Sequence, residues 1–224
     1  MSVSTTKPAA WLTGQQRTQM IRLAIYVGGL VPAVWTFYLA FSDQLGADPL
    51  RVLERTLGLW GLRFLVAGLA ITPLRRMTGL NLINYRRALG LTAFNFAVLH
   101  FFTYAWLDQG LDLGAIWGDI VKRPYITIGM LSLLILVPLA ATSNAVMVRR
   151  IGSQSWSALH KWVYLAVAAA ALHFILLVKS WPAEPLIYAG LVAAMLLWRV
   201  WDKFHGAASR KKKRKRVIVA QSVA

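Results

Sequence analysis

Long apolar runs separated by short polar stretches dominate the hydropathy pattern of this chain. An α-helix needs about 20 apolar residues to cross ~30 Å of hydrocarbon, and several runs have about that length. Six such runs lie at about residues 20–41, 56–72, 88–107, 125–142, 156–179 and 185–201. The pattern predicts an all-α membrane protein with a six-helix transmembrane domain (20–201) between an N-terminal tail (1–19) and a basic C-terminal tail (202–224).

Charged residues are divided unequally between the two sides of this predicted bundle. Six spans place both termini on one side, together with the 73–87 and 143–155 loops, and these segments hold most of the Lys and Arg residues. Seven of the eight acidic residues fall on the other side: Asp43, Asp48, Glu54, Asp108, Asp112, Asp119 and Glu184. Because cytoplasmic loops are enriched in Lys and Arg, both termini are predicted to be cytoplasmic.

The net charge of +17 is concentrated in part in a basic segment, RKKKRKR, at residues 210–216. A cytoplasmic polybasic segment binds anionic lipid with about 1 kcal/mol per charge near the surface. No aromatic side chains are interleaved with these charges, which disfavours nucleic acid as a partner. The predicted partner of the tail is therefore the lipid bilayer.

The chain contains no cysteine. This excludes disulfides, iron–sulfur ligation and covalent attachment of a c-type haem. The sequence also lacks a Gly-rich dinucleotide fingerprint, a P-loop and an H-E-x-x-H zinc motif. A redox role would therefore need non-thiol ligands and an electron donor other than a nicotinamide bound in a Rossmann domain.

Three of the four histidines lie in or at the edge of apolar spans, where a polar side chain is costly and indicates function. On the third span His100 follows Arg87, and on the fifth span His173 follows His160 at the same sequence separation. Each separation corresponds to about 20 Å along a helix. His100 and His173 are therefore predicted to face each other at one depth, as ligands of a haem held between helices.

The cytoplasmic level of the bundle offers a less complete set of ligands. His160 has no histidine opposite it on the third span, where Arg86 falls within about 40° of the face of His100 and Arg87 about 140° away. Arg86 is therefore the better candidate for a second haem. His160 and His173 are themselves about 140° apart on a straight helix. Either the helix has a local irregularity, such as a π-bulge, or His160 faces something else.

Arg63 lies near the middle of the second span, which is an expensive position for a guanidinium group. It is a candidate partner for a haem propionate or a quinone oxygen. The alternative is an arginine that bridges helices or extends towards the membrane surface. The alternative for the histidines is likewise structural, with hydrogen bonds across helices to backbone carbonyls or hydroxyls.

Several stretches together carry a resemblance to a known family. They are TPLRR at 72–76, YRRALGLTAFNFAVLHFFTY at 85–104, PLAATS at 138–143, and WSALHKWVYLA from Trp156 followed by ALHF up to Phe174. In their order and spacing the chain resembles the ferric-reductase-like transmembrane superfamily. Within it, the chain is most similar to the MsrQ (YedZ) family of haem-binding membrane subunits of periplasmic methionine-sulfoxide reductase systems.

The resemblance implies which residues and cofactors to expect. His100, His160 and His173 match the three haem-associated histidines of the family, and one or two haems b are implied. Related ferric reductases have a histidine where this chain has the pair Arg86–Arg87. The inner haem is then absent, held by His160 alone or completed by Arg86. FMN is implied by the resemblance alone.

The expected function is a transmembrane electron conduit in the bacterial inner membrane. Electrons would come from the quinone pool or a reduced flavin and reach a periplasmic molybdopterin methionine-sulfoxide reductase that repairs oxidised proteins. The chain itself would contribute no catalytic residue. One alternative is a stand-alone ferric or quinone reductase without a protein partner. Another is a proton-coupled transporter with histidine relays, which would have no haem absorption.

Overall fold

The computed structural model describes residues 13–178 and 182–222, with side chains described through residue 205. The described part is helical and contains no strand. Its α-helices are α1 (Gly14–Phe41), α2 (Pro49–Thr78), α3 (Arg86–Phe102), α4 (Leu113–Lys122), α5 (Pro124–Ala141), α6 (Ala145–Ile151), α7 (Ser153–Leu159), α8 (Val163–Leu177) and α9 (Ala183–Ser222). Turns of 3₁₀-helix precede α3 and α8, at Ile83–Tyr85 and His160–Trp162, and a π-helical segment, Thr103–Asp108, follows α3.

Polar side chains at the ends of the apolar runs define where several helices begin. Asp48 accepts a hydrogen bond from the backbone N–H of Arg51 at 3.2 Å, and Pro49 follows at the first helical position of α2. Asp112 caps α4 in the same way, with bonds of 2.8 and 3.0 Å from Gly114 and Ala115. The connections between spans are therefore ordered by their own polar residues.

Six helical segments within the described residues are long and apolar enough to cross a membrane. They are Gly14–Phe41, Pro49–Thr78, Ile83–Asp108, Pro124–Ala141, Ser153–Leu177 and Ala183–His205. The predicted six-helix, all-α fold is confirmed. Most of these helices extend a few residues beyond the predicted apolar runs, because adjacent polar residues, such as those after the caps Thr13 and Asp48, are helical too. The short helices α4 and α6 were not predicted.

Four helices, α2, α3, α5 and α8, form the centre of the bundle. α2 packs chiefly on α3, and α5 packs chiefly on α8. Gly61 permits the first contact, since a Cβ there would lie 3.4 Å from Cβ of Phe96 and 3.6 Å from the carbonyl oxygen of Ala93. The buried core joins these helices to α9 through Leu62, Leu65, Val66, Leu69, Ala93, Leu136, Ala166, Val167, Ala171, Phe174 and Val192.

The two ends of the bundle differ in charge. At one end, here called the acidic end, Arg55 forms an ion pair with Glu184 at 3.1 Å, which joins the start of α2 to the start of α9. At the other, the basic end, Arg76 pairs with Asp202 and joins α2 to the later part of α9. The order of the helices thus places the acidic and the basic loops at opposite ends of the bundle, as the sequence predicted. That the basic end is cytoplasmic stays a prediction, as does the division of the chain into a domain and two tails.

Some predicted features fall wholly or partly outside the described residues. Residues 1–12 of the N-terminal tail and Lys179, the predicted end of the fifth span, are among them. In the basic tail, α9 continues as helix to Ser222, and the side chains of residues 210–216 are not described.

Candidate functional site

His100 and His173 come together between the two helix pairs. His100 is in the last turn of α3 and His173 is in α8. Their ring centroids are 6.2 Å apart and the ring planes make an angle of 68°. With a metal–imidazole bond of about 2 Å and ring nitrogens about 1 Å from the ring centre, a metal shared in line needs about 6 Å between centroids. The predicted match in depth is present, at a spacing suited to a shared metal.

Both imidazoles are held by their Nδ1 atoms. Nδ1 of His100 lies 2.9 Å from the carbonyl oxygen of Glu54 on α2, and Nδ1 of His173 lies 2.6 Å from that of Tyr125 on α5. A carbonyl only accepts, so each Nδ1 must carry the proton and donate it. The lone pair of each ring is then on Nε2. Metal-ligating histidines usually have this arrangement, with the other ring N–H given to a backbone carbonyl or carboxylate.

A glycine lies one helical turn after each of these carbonyls. Gly58 follows Glu54 by four residues, and a Cβ at Gly58 would be 3.3 Å from the ring of His100. Gly129 follows Tyr125 by four residues, and a Cβ there would be 2.8 Å from Nδ1 of His173. Each glycine therefore leaves room for an imidazole to lie against the helix backbone and reach the carbonyl of the preceding turn.

The two histidines line a cavity of about 910 Å³ that runs from the middle of the bundle to the acidic end. Its inner walls are apolar and come from α2, α3, α5 and α8: Leu59, Leu62, Leu65, Ala93, Ala97, Met130, Leu133, Leu136, Ala170 and Phe174. Its volume is within the ~300–1,000 Å³ typical of small-molecule and cofactor sites. The cavity is thus a preformed apolar chamber, and His100 and His173 contribute its two imidazole rings.

The part of the cavity nearest the acidic end of the bundle is polar. Arg51, Arg55 and Arg123 line it, together with the buried carboxyl of Glu54. Oε1 of Glu54 has no hydrogen-bond partner among the described residues. In the loop before α5, a hydrogen bond to the Tyr125 hydroxyl and the negative charge of Asp119 raise the pKa of Arg123, which therefore remains a cation. Asp48 and Asp108 line the same end, and Arg51, Arg55 and Arg123 form ion pairs with Asp48, Glu184 and Asp119, so this end carries charges of both signs.

His160 lies apart from the cavity, in the 3₁₀ turn before α8. Each of the three residues in this turn rotates the chain by about 120°, whereas a residue of an α-helix rotates it by about 100°. The predicted angle between His160 and His173 around the helix axis therefore falls from about 140° to about 80°. A local irregularity is therefore present, of 3₁₀ rather than π type, and His160 also faces something else. It stacks on Trp156 at 3.9 Å between centroids, and its Nε2 is 3.2 Å from Oγ1 of Thr142.

The hydrogen bonds of the Thr142 hydroxyl determine which ring nitrogen of His160 carries the proton. The Thr142 hydroxyl donates to the carbonyl oxygen of Pro138 at 2.7 Å, so its oxygen acts as an acceptor towards His160. Nε2 of His160 then carries the proton, the reverse of the arrangement in the His100–His173 pair. The observed contacts of His160 are those of a residue that joins the start of α8 to the end of α5.

The two candidate arginines also lie away from the cavity. Arg63 donates to the Tyr188 hydroxyl at 2.8 Å, lies 3.7 Å from the carboxylate of Glu184, and stacks on Trp60 at 4.8 Å. These contacts fit the helix-bridging alternative for Arg63. Arg86 donates to the hydroxyl of Thr72 on α2.

Sequence reasoning did not identify four residues of the site: Glu54, Gly58, Tyr125 and Gly129. Glu54 and Tyr125 act through backbone carbonyls, which leave no trace in residue type. The glycines did offer a signal, because each lies in an apolar span at a fixed distance from a polar or aromatic residue near the span's start. That signal becomes specific only when the partner histidine is known.

Comparison with known proteins identifies the family of the chain. The family model described as ferric reductase like transmembrane component matches residues 57–171, which run from α2 into α8. Proteins named protein-methionine-sulfoxide reductase heme-binding subunit MsrQ from Brucella ovis, Brucella canis and Brucella melitensis are each 61% identical to this chain over 176 residues. Those alignments cover 79% of this chain and 80% of each relative. The chain belongs to the MsrQ family of ferric-reductase-like transmembrane components.

Proposed function

We propose that the protein is a transmembrane cytochrome b that delivers electrons to a periplasmic molybdopterin methionine-sulfoxide reductase. The observation that carries the proposal is the His100–His173 pair, whose Nε2 lone pairs are free and whose rings lie 6.2 Å apart beside a cavity. The relatives are named as heme-binding subunits of a methionine-sulfoxide reductase, which supports the cofactor and the partner system.

The residues present fit a haem. Iron in a haem takes axial ligands from the protein, and facing helices of a bundle are a common place for them. His100 and His173 would hold the iron through Nε2, and the absence of cysteine makes the haem b-type. At the polar end of the cavity, Arg51, Arg55 and Arg123 would exchange their ion pairs with Asp48, Glu184 and Asp119 for its carboxylates. Bound there, the haem supplies reversible one-electron chemistry.

The chain's own contribution is to hold and tune this group. The bonds from Nδ1 to the carbonyls of Glu54 and Tyr125 fix the orientation of both rings and make their Nε2 atoms more basic. The apolar walls keep water from the inner part of the cavity, and burial of this kind is one of the levers on redox potential. The buried carboxyl of Glu54 adds a polar group at the boundary between the apolar and polar parts.

The charge division supports the direction of transfer. With the basic end cytoplasmic, the cavity opens on the periplasmic side of the bacterial inner membrane, where the soluble reductase would dock. The electron donor would be the quinone pool or a reduced flavin. The family resemblance implies FMN as that flavin. Neither His160 nor Arg86 lines the cavity, so the proposal places one haem at the His100–His173 pair.

Absorption spectroscopy of the purified protein tests the haem. We expect a low-spin b-type spectrum and a pyridine haemochrome ratio near one haem per chain. A preparation without haem absorption after expression with added haem precursor would contradict the proposal and favour the transporter alternative.

Anaerobic mixing tests the partner. The protein is reduced and then mixed with the soluble reductase of the same organism and a methionine-sulfoxide peptide. We expect reoxidation of two haem equivalents per sulfoxide, because reduction of a sulfoxide to a thioether and water consumes two electrons and two protons. Reoxidation by ferric chelate or quinone, with none by the soluble reductase, would favour a stand-alone reductase.

A further inference from the structure

At the basic end, two arginines from different helices meet at one hydroxyl group. Nη2 of Arg199 on α9 donates to Oγ1 of Thr72 at 3.0 Å and to the carbonyl oxygen of Leu69 at 2.6 Å. Arg86, the first residue of α3, donates to the same Thr72 hydroxyl oxygen. The guanidinium groups therefore lie side by side against α2, within reach of a single small ligand.

This arginine pair has no counter-ion among the described residues. Neither Arg86 nor Arg199 forms an ion pair with a carboxylate there. Asp202, the acidic residue of the basic end, is already paired with Arg76. Two like charges in a half-buried position repel each other and cost desolvation energy unless an anion joins them. The pair is thus electrostatically incomplete as it stands.

Part of the pair is also short of hydrogen bonds. Nη1 of Arg199 is buried and has no partner among the described residues. The ring of Tyr164 covers the Arg199 guanidinium, with 5.0 Å between Cζ and the ring centroid. A cation–π contact orients the guanidinium but gives the Nη1 group no hydrogen-bond acceptor. A ligand bearing several acceptor oxygens would satisfy them.

We propose that Arg86 and Arg199 form a binding site for a phosphate group. Guanidinium forks match the spacing of phosphate oxygens and bind them with paired, charge-assisted hydrogen bonds. Two forks from α3 and α9 present such donors to one tetrahedral anion, and Thr72 holds both forks on α2. The site differs from the His100–His173 cavity, which neither arginine lines.

Two sources supply this chemistry at a membrane surface. One is the headgroup of an anionic phospholipid, which attracts basic residues at the cytoplasmic leaflet. The other is a soluble phosphate monoester. Arg87 provides a matched control for both, because it neighbours Arg86 in the chain but its side chain is exposed and makes no described hydrogen bond or ion pair.

Native mass spectrometry tests the lipid source. The full-length protein is transferred from micelles containing phosphatidylcholine with increasing phosphatidylglycerol, and the fraction retaining phosphatidylglycerol is measured. We expect Arg199→Gln and Arg86→Gln to lower this fraction about tenfold, since each removes charge-assisted hydrogen bonds, whereas Arg87→Gln leaves it unchanged. Arg199→Lys keeps the charge but not the fork, and should give an intermediate value in a protein that folds.

Thermal unfolding in phosphatidylcholine nanodiscs tests the soluble source, with inorganic phosphate and phenyl phosphate as probes. Stabilisation of the parent protein and Arg87→Gln, but not of Arg86→Gln or Arg199→Gln, would identify a soluble phosphate as the ligand. If neither phosphatidylglycerol nor either phosphate distinguishes the Arg86 and Arg199 variants from Arg87→Gln, the site does not exist. None of these readouts depends on haem, so they are separate from the test of the proposed function.

Discussion

The histidines at the two levels of the bundle are held in opposite ways. His100 and His173 donate through Nδ1 to backbone carbonyls and leave Nε2 free beside a cavity. His160 uses Nε2 to donate to Thr142 and lies against Trp156. Their local bonds therefore leave only His100 and His173 free to ligate metal through Nε2. The tautomer set by the neighbouring helix thus distinguishes the two proposed ligands from a histidine that joins helices.

The strongest test of this contrast removes the two Nε2 donors. His100→Ala or His173→Ala should abolish the low-spin haem spectrum, because these two imidazoles would hold the iron. Haem content by pyridine haemochrome should fall to less than about a tenth of the parent, as loss of a direct ligand exceeds the 10–100-fold effect typical of outer partners. A parent-like spectrum in both variants would contradict the ligand assignment.

A methyl group at Gly58 or Gly129 should displace the histidine ring that packs against that glycine. Gly129→Ala places a Cβ 2.8 Å from Nδ1 of His173, whereas Gly58→Ala places one 3.3 Å from the ring of His100. We expect a several-fold loss of bound haem for Gly129→Ala and a smaller loss for Gly58→Ala, measured by titration with hemin. Gly190→Ala, in open space on α9, is the control and should bind as the parent does. Equal behaviour of all three would show that close packing on the rings is unimportant.

Removal of His160 should affect stability and not the spectrum. His160→Ala deletes the bond to Thr142 and the stacking on Trp156, and we expect a loss of about 1 kcal/mol in the free energy of unfolding. Denaturant unfolding in micelles measures it, and the haem spectrum is recorded on the same sample. Loss of one haem from a two-haem parent would instead make His160 a ligand and remove the contrast.

The smallest expected effect concerns the hydrogen bond between His160 and Thr142. Thr142→Val removes the acceptor of His160 and should cost about 0.6 kcal/mol, the average for a hydrogen bond between membrane helices. The proton of His160 then has no fixed position, so ¹⁵N NMR of the imidazole should show both tautomers. A single unchanged tautomer would mean that Thr142 does not set it.

Much of the fold was accessible from sequence because membrane spans are specified by length and hydropathy. The constant rise of an α-helix along its axis was enough to place His100 and His173 at one level. Its constant rotation per residue was enough to show that His160 and His173 cannot share a face on a straight helix. These inferences depend only on helix geometry, which the bilayer enforces by requiring internal backbone hydrogen bonds.

The remaining parts of the site depend on contacts between helices, which periodicity does not contain. The contacts of Arg63 with α9 and of Arg199 with Thr72 join α2 to α9, which are far apart in sequence. The carbonyls of Glu54 and Tyr125 act without their side chains. The helix α4 was missed because its ten residues are too few to cross a membrane and the whole stretch was interpreted as a connection between spans.

The carbonyl–glycine pairs have a consequence for how the protein is assembled. Each histidine is oriented by a helix of its own half of the bundle, His100 by α2 and His173 by α5, and within each half the two helices pack closely. The contacts that orient each ring therefore lie within one half and do not depend on the other half. Docking of the two halves brings the rings together, and a ligand bound by both histidines would then join the halves.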